Sequence, residues 1–269
     1  MHNHKMEYGM EYGMIKIITS LSYALMIVTN ISANLIPING VRTSEISDSY
    51  ENLFTPAGFT FSIWGLIYFL LALHIFYEYG LFKRISDKVN IRLVKKLAIP
   101  FTISSVANAA WIISWHYNFI ALSMIFMVII LVSLLYINKE ISKRNLNKKQ
   151  IFFIRIPFSI YLGWITVATI ANFTVLLVSE GWGGFGIRDD IWTVFVILIG
   201  TVIGLLTLLK YKNIEYGFTL IWAYYGIYAR HASSQGLSGR YPLIENMVII
   251  CILLIVSSII YVRVKFNKN

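Results

Sequence analysis

Only one cysteine and only 13% charged residues occur in 269 positions. With Cys251 alone, an internal disulfide and a thiolate metal cluster are both excluded. There is no Walker loop, no C-x-x-C and no H-E-x-x-H, so no catalytic residue, metal ligand or bound cofactor is assigned. Acid is the scarcer sign, 13 Asp and Glu against 23 Lys and Arg, which leaves a net charge of +10. Such an excess can serve nucleic acid, but these cations lie almost wholly between apolar runs, where they set topology. Nucleic acid is therefore not an expected partner. A retinal Schiff base needs a lysine buried mid-helix. Every lysine except Lys16, at a helix start, lies in a connecting segment or tail. Bis-histidine haem ligation lacks a second histidine at matched depth, since only His74 lies well inside an apolar run.

What is present is hydrocarbon. The chain is 57% hydrophobic with a mean hydropathy of +0.67, which places it among polytopic membrane proteins and makes the bilayer its first partner. Runs long enough to span about 30 Å at 1.5 Å per residue begin at Ile15, Phe59, Leu97, Ile120, Ile151, Ile191 and Leu243. An eighth, Ile214 to Tyr228, is short and studded with Glu215, Trp222, Tyr224, Tyr225 and Tyr228, as a tilted or partly interfacial helix would be. The expected fold is all-α, a bundle of about eight transmembrane helices. Residues 1–14, a tail holding His2, His4 and a tandem Met-Glu-Tyr-Gly, precede a five-helix bundle over 15–180. A Gly-rich external loop over 181–190, a three-helix extension over 191–264 and a tail over 265–269 complete the chain. Charge supports this parse: with both termini cytoplasmic, 19 of the 23 basic residues fall on the cytoplasmic side, and only Arg42, Arg188, Arg230 and Arg240 fall outside. A multi-pass protein of the cell membrane is expected.

Polar and aromatic residues recur inside the runs at helical spacing. In the fifth run, Tyr161, Trp164, Ala168 and Asn172 fall within an arc of roughly 80° at about 100° per residue. An Asn amide cannot sensibly point at lipid, so this face turns toward other helices or something held between them. Asn30 and Asn34 share a face of the first run, Trp64 and Tyr68 lie on the second, and Asn108, Trp111 and Trp115 on the third. The fourth run is aliphatic and reads as structural packing. Two readings of the polar-aromatic set stand level on spacing alone. One is glue between helices; the other is a pocket for a flat, largely apolar ligand, stacked on indoles and fixed by amides. Glu78, at the cytoplasmic end of the second run, is the nearest candidate for a proton relay, and His74 is a further candidate ligand contact.

At these residues the chain resembles the translocator protein family, also called tryptophan-rich sensory proteins (TspO/MBR). The similarity is carried by Pro56-Ala-Gly58-Phe59…Trp64…Tyr68, Asn108-Ala-Ala-Trp111 and Tyr161-Leu-Gly-Trp164…Ala168-Thr-Ile-Ala-Asn172, in that order over about residues 15–180. Thr55-Pro56-Ala57-Gly58-Phe59 stands where the family usually has Pro-Pro-Gly-Trp. The resemblance implies a five-helix TspO-like bundle whose cavity binds porphyrins or other hydrophobic ligands, often as a homodimer, with three further helices here. It implies ligand contacts at Trp64, Tyr68, Asn108, Trp111, Tyr161, Trp164, Ala168 and Asn172, to which spacing adds Trp115, with Asn30, Asn34 and His74 as additional candidates. It permits two alternatives, secondary transport of a small solute and light- or oxygen-dependent porphyrin breakdown. No acid-base pair in the spacing supports the latter.

Overall fold

Inside hydrocarbon each backbone N–H and C=O must find its partner within the chain, which leaves a chain this apolar with helices. The computed structural model describes residues 2–36, 38–81 and 91–266, with the backbone alone at residues 2–11, 34 and 91. Every regular element among them is helical. In order they are α1 (His2–Leu35), α2 (Thr43–Ser49), α3 (Ile63–Tyr79), α4 (Ile91–His116), α5 (Ile120–Ser142), the single turn α6 (Lys148–Gln150), α7 (Ile156–Ser179), α8 (Asp189–Tyr211), α9 (Ile214–Ala232) and α10 (Pro242–Phe266). The Asn34, His2 and His4 side chains and most of the basic segment from Lys83 lie outside the described residues.

Short polar signals stop and restart these helices. Gly80 takes φ 85° and gives its N–H to the Phe76 and Tyr77 carbonyls, closing α3. Between α8 and α9 the chain reverses in two residues: Lys212 is left-handed at φ 50°, and the Asn213 side chain accepts the Tyr216 N–H. Asn147 and Gln150 cap the turn before α7 reciprocally. A π-helical stretch, Ile151–Arg155, then leads into α7.

Among the described residues, seven helices are long and apolar enough to cross a membrane: Tyr12–Ala33, Gly58–Tyr79, Arg92–His116, Ile120–Ser142, Lys148–Ser179, Asp189–Tyr211 and Pro242–Phe266. The chain is a multi-pass membrane protein with a polytopic helical bundle. Several helices overrun the apolar runs. α1 begins at His2 rather than beyond a tail, α4 begins at Ile91, and α5 continues to Ser142. Their added turns carry polar and basic residues suited to the headgroup layer.

α9 falls short of these seven in apolarity, and one broad face of it packs on protein rather than lipid, while Phe218 and Tyr225 stay exposed. Tyr216, Leu220, Ala223, Tyr224 and Ile227 are all buried among α7, α8 and α10. Glycine makes the close approach possible. A Cβ at Gly163 of α7 would stand 2.7 Å from Thr219 Cβ, and one at Gly226 of α9 would stand 2.1 Å from Thr60 Oγ1. Contacts gather at two opposite ends of the bundle. Asp48 meets Arg230, Leu53 meets His231 and Tyr50 meets Asn118 at one end; Lys96 meets Glu140 and Arg155 meets Glu215 at the other, where the basic segments gather. α9 must run the full distance for both sets to hold.

Candidate functional site

Helical spacing delivers one indole or two from each of three helices to a common interior. On α3, Trp64 and Tyr68 are one turn apart; on α4, Asn108, Trp111 and Trp115 share a stripe; on α7, Tyr161, Trp164, Ala168 and Asn172 do the same. Trp64 is the hub. Its ring centroid lies 5.4 Å from Tyr68, 5.8 Å from Trp111, 6.0 Å from Tyr161 and 6.1 Å from Trp164. Trp111 stacks on Trp115 at 6.0 Å, and Phe61 meets Trp164 edge-on at 5.9 Å. Each such pair contributes about 0.5–1.5 kcal/mol beyond its buried area.

The amides tie these rings to their helices. Asn30 Nδ2 donates to Asn108 Oδ1 at 2.7 Å, and Asn108 Nδ2 donates to the Tyr161 hydroxyl at 3.1 Å, which links α1, α4 and α7. Trp111 Nε1 donates to Asn172 Oδ1 at 2.9 Å, while Asn172 Nδ2 donates to Ser123 Oγ at 3.1 Å. Ser123 is on α5, so that helix is not packing alone; it orients the amide and adds Met127 to the wall. Among the described residues of this set, two buried polar groups have no hydrogen-bond partner, the Tyr68 hydroxyl and the Trp164 indole N–H. Trp164 is 3% exposed, and its Nε1–H has no acceptor.

Between the rings lies a void of about 40 Å³, walled by Trp64, Trp111, Trp115, Trp164, Ala168 and Asn172. It holds about one water, whose share of liquid volume is about 30 Å³. In this state the indoles largely fill the space they enclose. Tyr68, Tyr161, Asn108 and Asn30 form the layer beneath it, toward the basic end. His74 is not part of it. Its Nδ1 meets the Phe153 carbonyl at 2.8 Å and its Nε2 meets buried Glu78 at 3.1 Å, nearer the basic end of α3.

Sequence reasoning missed the roof. Thr43, Ser47 and Pro56, from the segment holding α2, close the end of the void away from the basic segments. Trp115 Nε1 donates to the Thr43 carbonyl at 3.1 Å, and His116 bridges Thr43 Oγ1 at 3.1 Å and the Ile38 carbonyl at 3.0 Å. α9 holds the same segment from the other side. Arg230 pairs with Asp48, His231 Nε2 lies 2.9 Å from the Leu53 carbonyl, and the Ala57 N–H donates to the Gly226 carbonyl at 2.9 Å. Residues 43–49 hold a single apolar side chain, Ile46, and nothing in the sequence said what the segment would cover.

A family model described as TSPO-like protein matches residues 16–261. The match runs past the five-helix segment through α8, α9 and most of α10. No curated protein and no solved structure matches the chain.

Proposed function

The chain belongs to the TSPO-like family, and from that premise we propose that it binds a flat hydrophobic ligand, a porphyrin or a molecule of similar shape, among Trp64, Trp111, Trp115 and Trp164. The observation that carries this reading is the buried Trp164 N–H without an acceptor, on a side chain that lines an apolar, aromatic void. A buried donor left unpaired costs about 1–3 kcal/mol, and a guest with an acceptor on its edge would recover it. Ligand pockets usually span about 300–1,000 Å³. Binding therefore moves the rings apart and lifts the 43–56 roof, a change the amide links from Asn108 and Asn172 would guide. The wall offers ring faces and hydrogen bonds, which suit holding a guest rather than transforming it. The basic end is read as cytoplasmic, with both termini there, by the distribution of Lys and Arg.

Titration of purified protein with protoporphyrin, followed by its absorption band, tests this. Saturable binding is expected, with about tenfold weaker affinity in Trp164→Phe and little change in Trp222→Phe. Equal affinity in all three proteins would refute the site. A second reading, proton-coupled transport of a small solute, draws on one observation, the buried His74–Glu78 pair. Solute uptake by proteoliposomes that collapses with the proton gradient and is lost in Glu78→Gln would favour it.

A further inference from the structure

We propose that the outer face of α4 holds an anionic phospholipid from the leaflet at the basic end. Arg92, Lys95, Lys96, Ile99, Pro100 and Ile103 recur at helical spacing and form one stripe of α4, and Tyr136 of α5 closes its side. Together they line an open groove of about 580 Å³. Its head is cationic and its floor apolar. Ile99 is 69% exposed, Ile103 46% and Tyr136 47%, so the floor faces acyl chains rather than protein.

The dimensions fit one lipid of one leaflet. From Arg92 to Ile103 the helix rises about 16 Å, close to half of a hydrocarbon core about 30 Å thick. A headgroup at Arg92 and Lys95 would thus send its chain along Ile99 and Ile103 to the bilayer centre. The Lys96 ammonium is held at the groove's edge by Glu140, 3.1 Å away, and the same buried carboxylate also binds Lys143. Because Glu140 is shared between Lys96 and Lys143, these three groups together keep one positive charge in excess.

Native mass spectrometry after incubation with equal amounts of dioleoyl phosphatidylglycerol and dioleoyl phosphatidylcholine reads the site, since the tails are identical. At least tenfold more bound phosphatidylglycerol is expected. Each surface cation contributes about fivefold, so Arg92→Gln with Lys95→Gln should erase the preference. Lys148→Gln with Lys149→Gln, removing equal charge from the same end, should leave it within twofold. Ile103→Trp, which fills the floor without touching charge, should lower retention of both lipids. Equal loss in both charge pairs would reduce the effect to general surface potential and overturn the proposal. Full competition by glycerol 3-phosphate with no effect of Ile103→Trp would mean a headgroup site without a lipid. Efficient disulfide formation between copies carrying Ile99→Cys would give the groove to a second copy instead.

Discussion

Gly226→Ala on α9 is the sharpest probe of how the last helices join the bundle. The added methyl would stand 2.1 Å from Thr60 Oγ1, 2.7 Å from Thr60 Cγ2 and 2.9 Å from Thr60 Cβ. Rotating Thr60 relieves the first two contacts but not the third, so the backbone before α3 must move away from α9. Overpacking of this kind costs about 1–3 kcal/mol. The same shift strains the 2.9 Å bond from the Ala57 N–H to the Gly226 carbonyl, worth about 0.5–1.5 kcal/mol. A total near 2–4 kcal/mol is expected in unfolding by rising SDS fraction in mixed micelles. Thr60→Ala removes Oγ1 and Cγ2, so in the Gly226→Ala background it should recover about 1 kcal/mol or more of that loss, a coupling that only residues in contact display. A neutral Gly226→Ala, or additive effects of the two changes, would refute the docking of α9 against the start of α3.

Three further outcomes follow from the same contacts. Asn172→Leu strands the buried Trp111 N–H, while the Ser123 hydroxyl keeps its bond to the Ile120 carbonyl, and should cost about 1–3 kcal/mol in the same unfolding assay; Trp111→Phe leaves Asn172 bonded to Ser123 and should cost less from the amide. Arg230→Gln removes a partly exposed ion pair with Asp48, worth less than about 1 kcal/mol, so thiol labelling of Ser47→Cys should quicken by about two- to fivefold; an unchanged rate would mean that this pair does not hold the 43–56 segment. Single cysteines replacing Lys148 and Gln235 should be labelled from opposite faces of oriented vesicles, whereas labelling from one face would remove α9 as a crossing.

Helices were legible because periodicity and charge speak locally. The basic segments after Glu78 and after Ile137 punctuate the chain, and the stripe Tyr161, Trp164, Ala168, Asn172 predicted an inward face that the contacts bear out. α9 was harder. Hydropathy measures fitness for lipid, and a helix with one broad face on α7, α8 and α10 needs less of it; Tyr216 and Tyr224 are fully buried yet lower the apolar score. Ser123 was hidden in an aliphatic run because a lone serine gives no sign of the amide it will meet. The roof over Trp115 depends on Thr43 and His116, 73 residues apart, and spacing within one element cannot convey such a pairing. Nor could spacing say how much room the indoles leave, since that is set by the ring angles.

The proposed site has the Trp164 N–H take up a guest's acceptor inside the ring of indoles. Its most direct test is the indole ¹⁵N–¹H spectrum of the protein labelled at tryptophan, assigned by Trp→Phe variants and recorded with and without protoporphyrin. Without ligand, the Trp164 N–H should resonate upfield of the bonded Trp111 and Trp115 protons; on binding it should move downfield while Trp182 and Trp192 stay in place. A Trp164 signal unmoved at saturation, with the shifts confined to Trp182 and Trp192, would contradict the account.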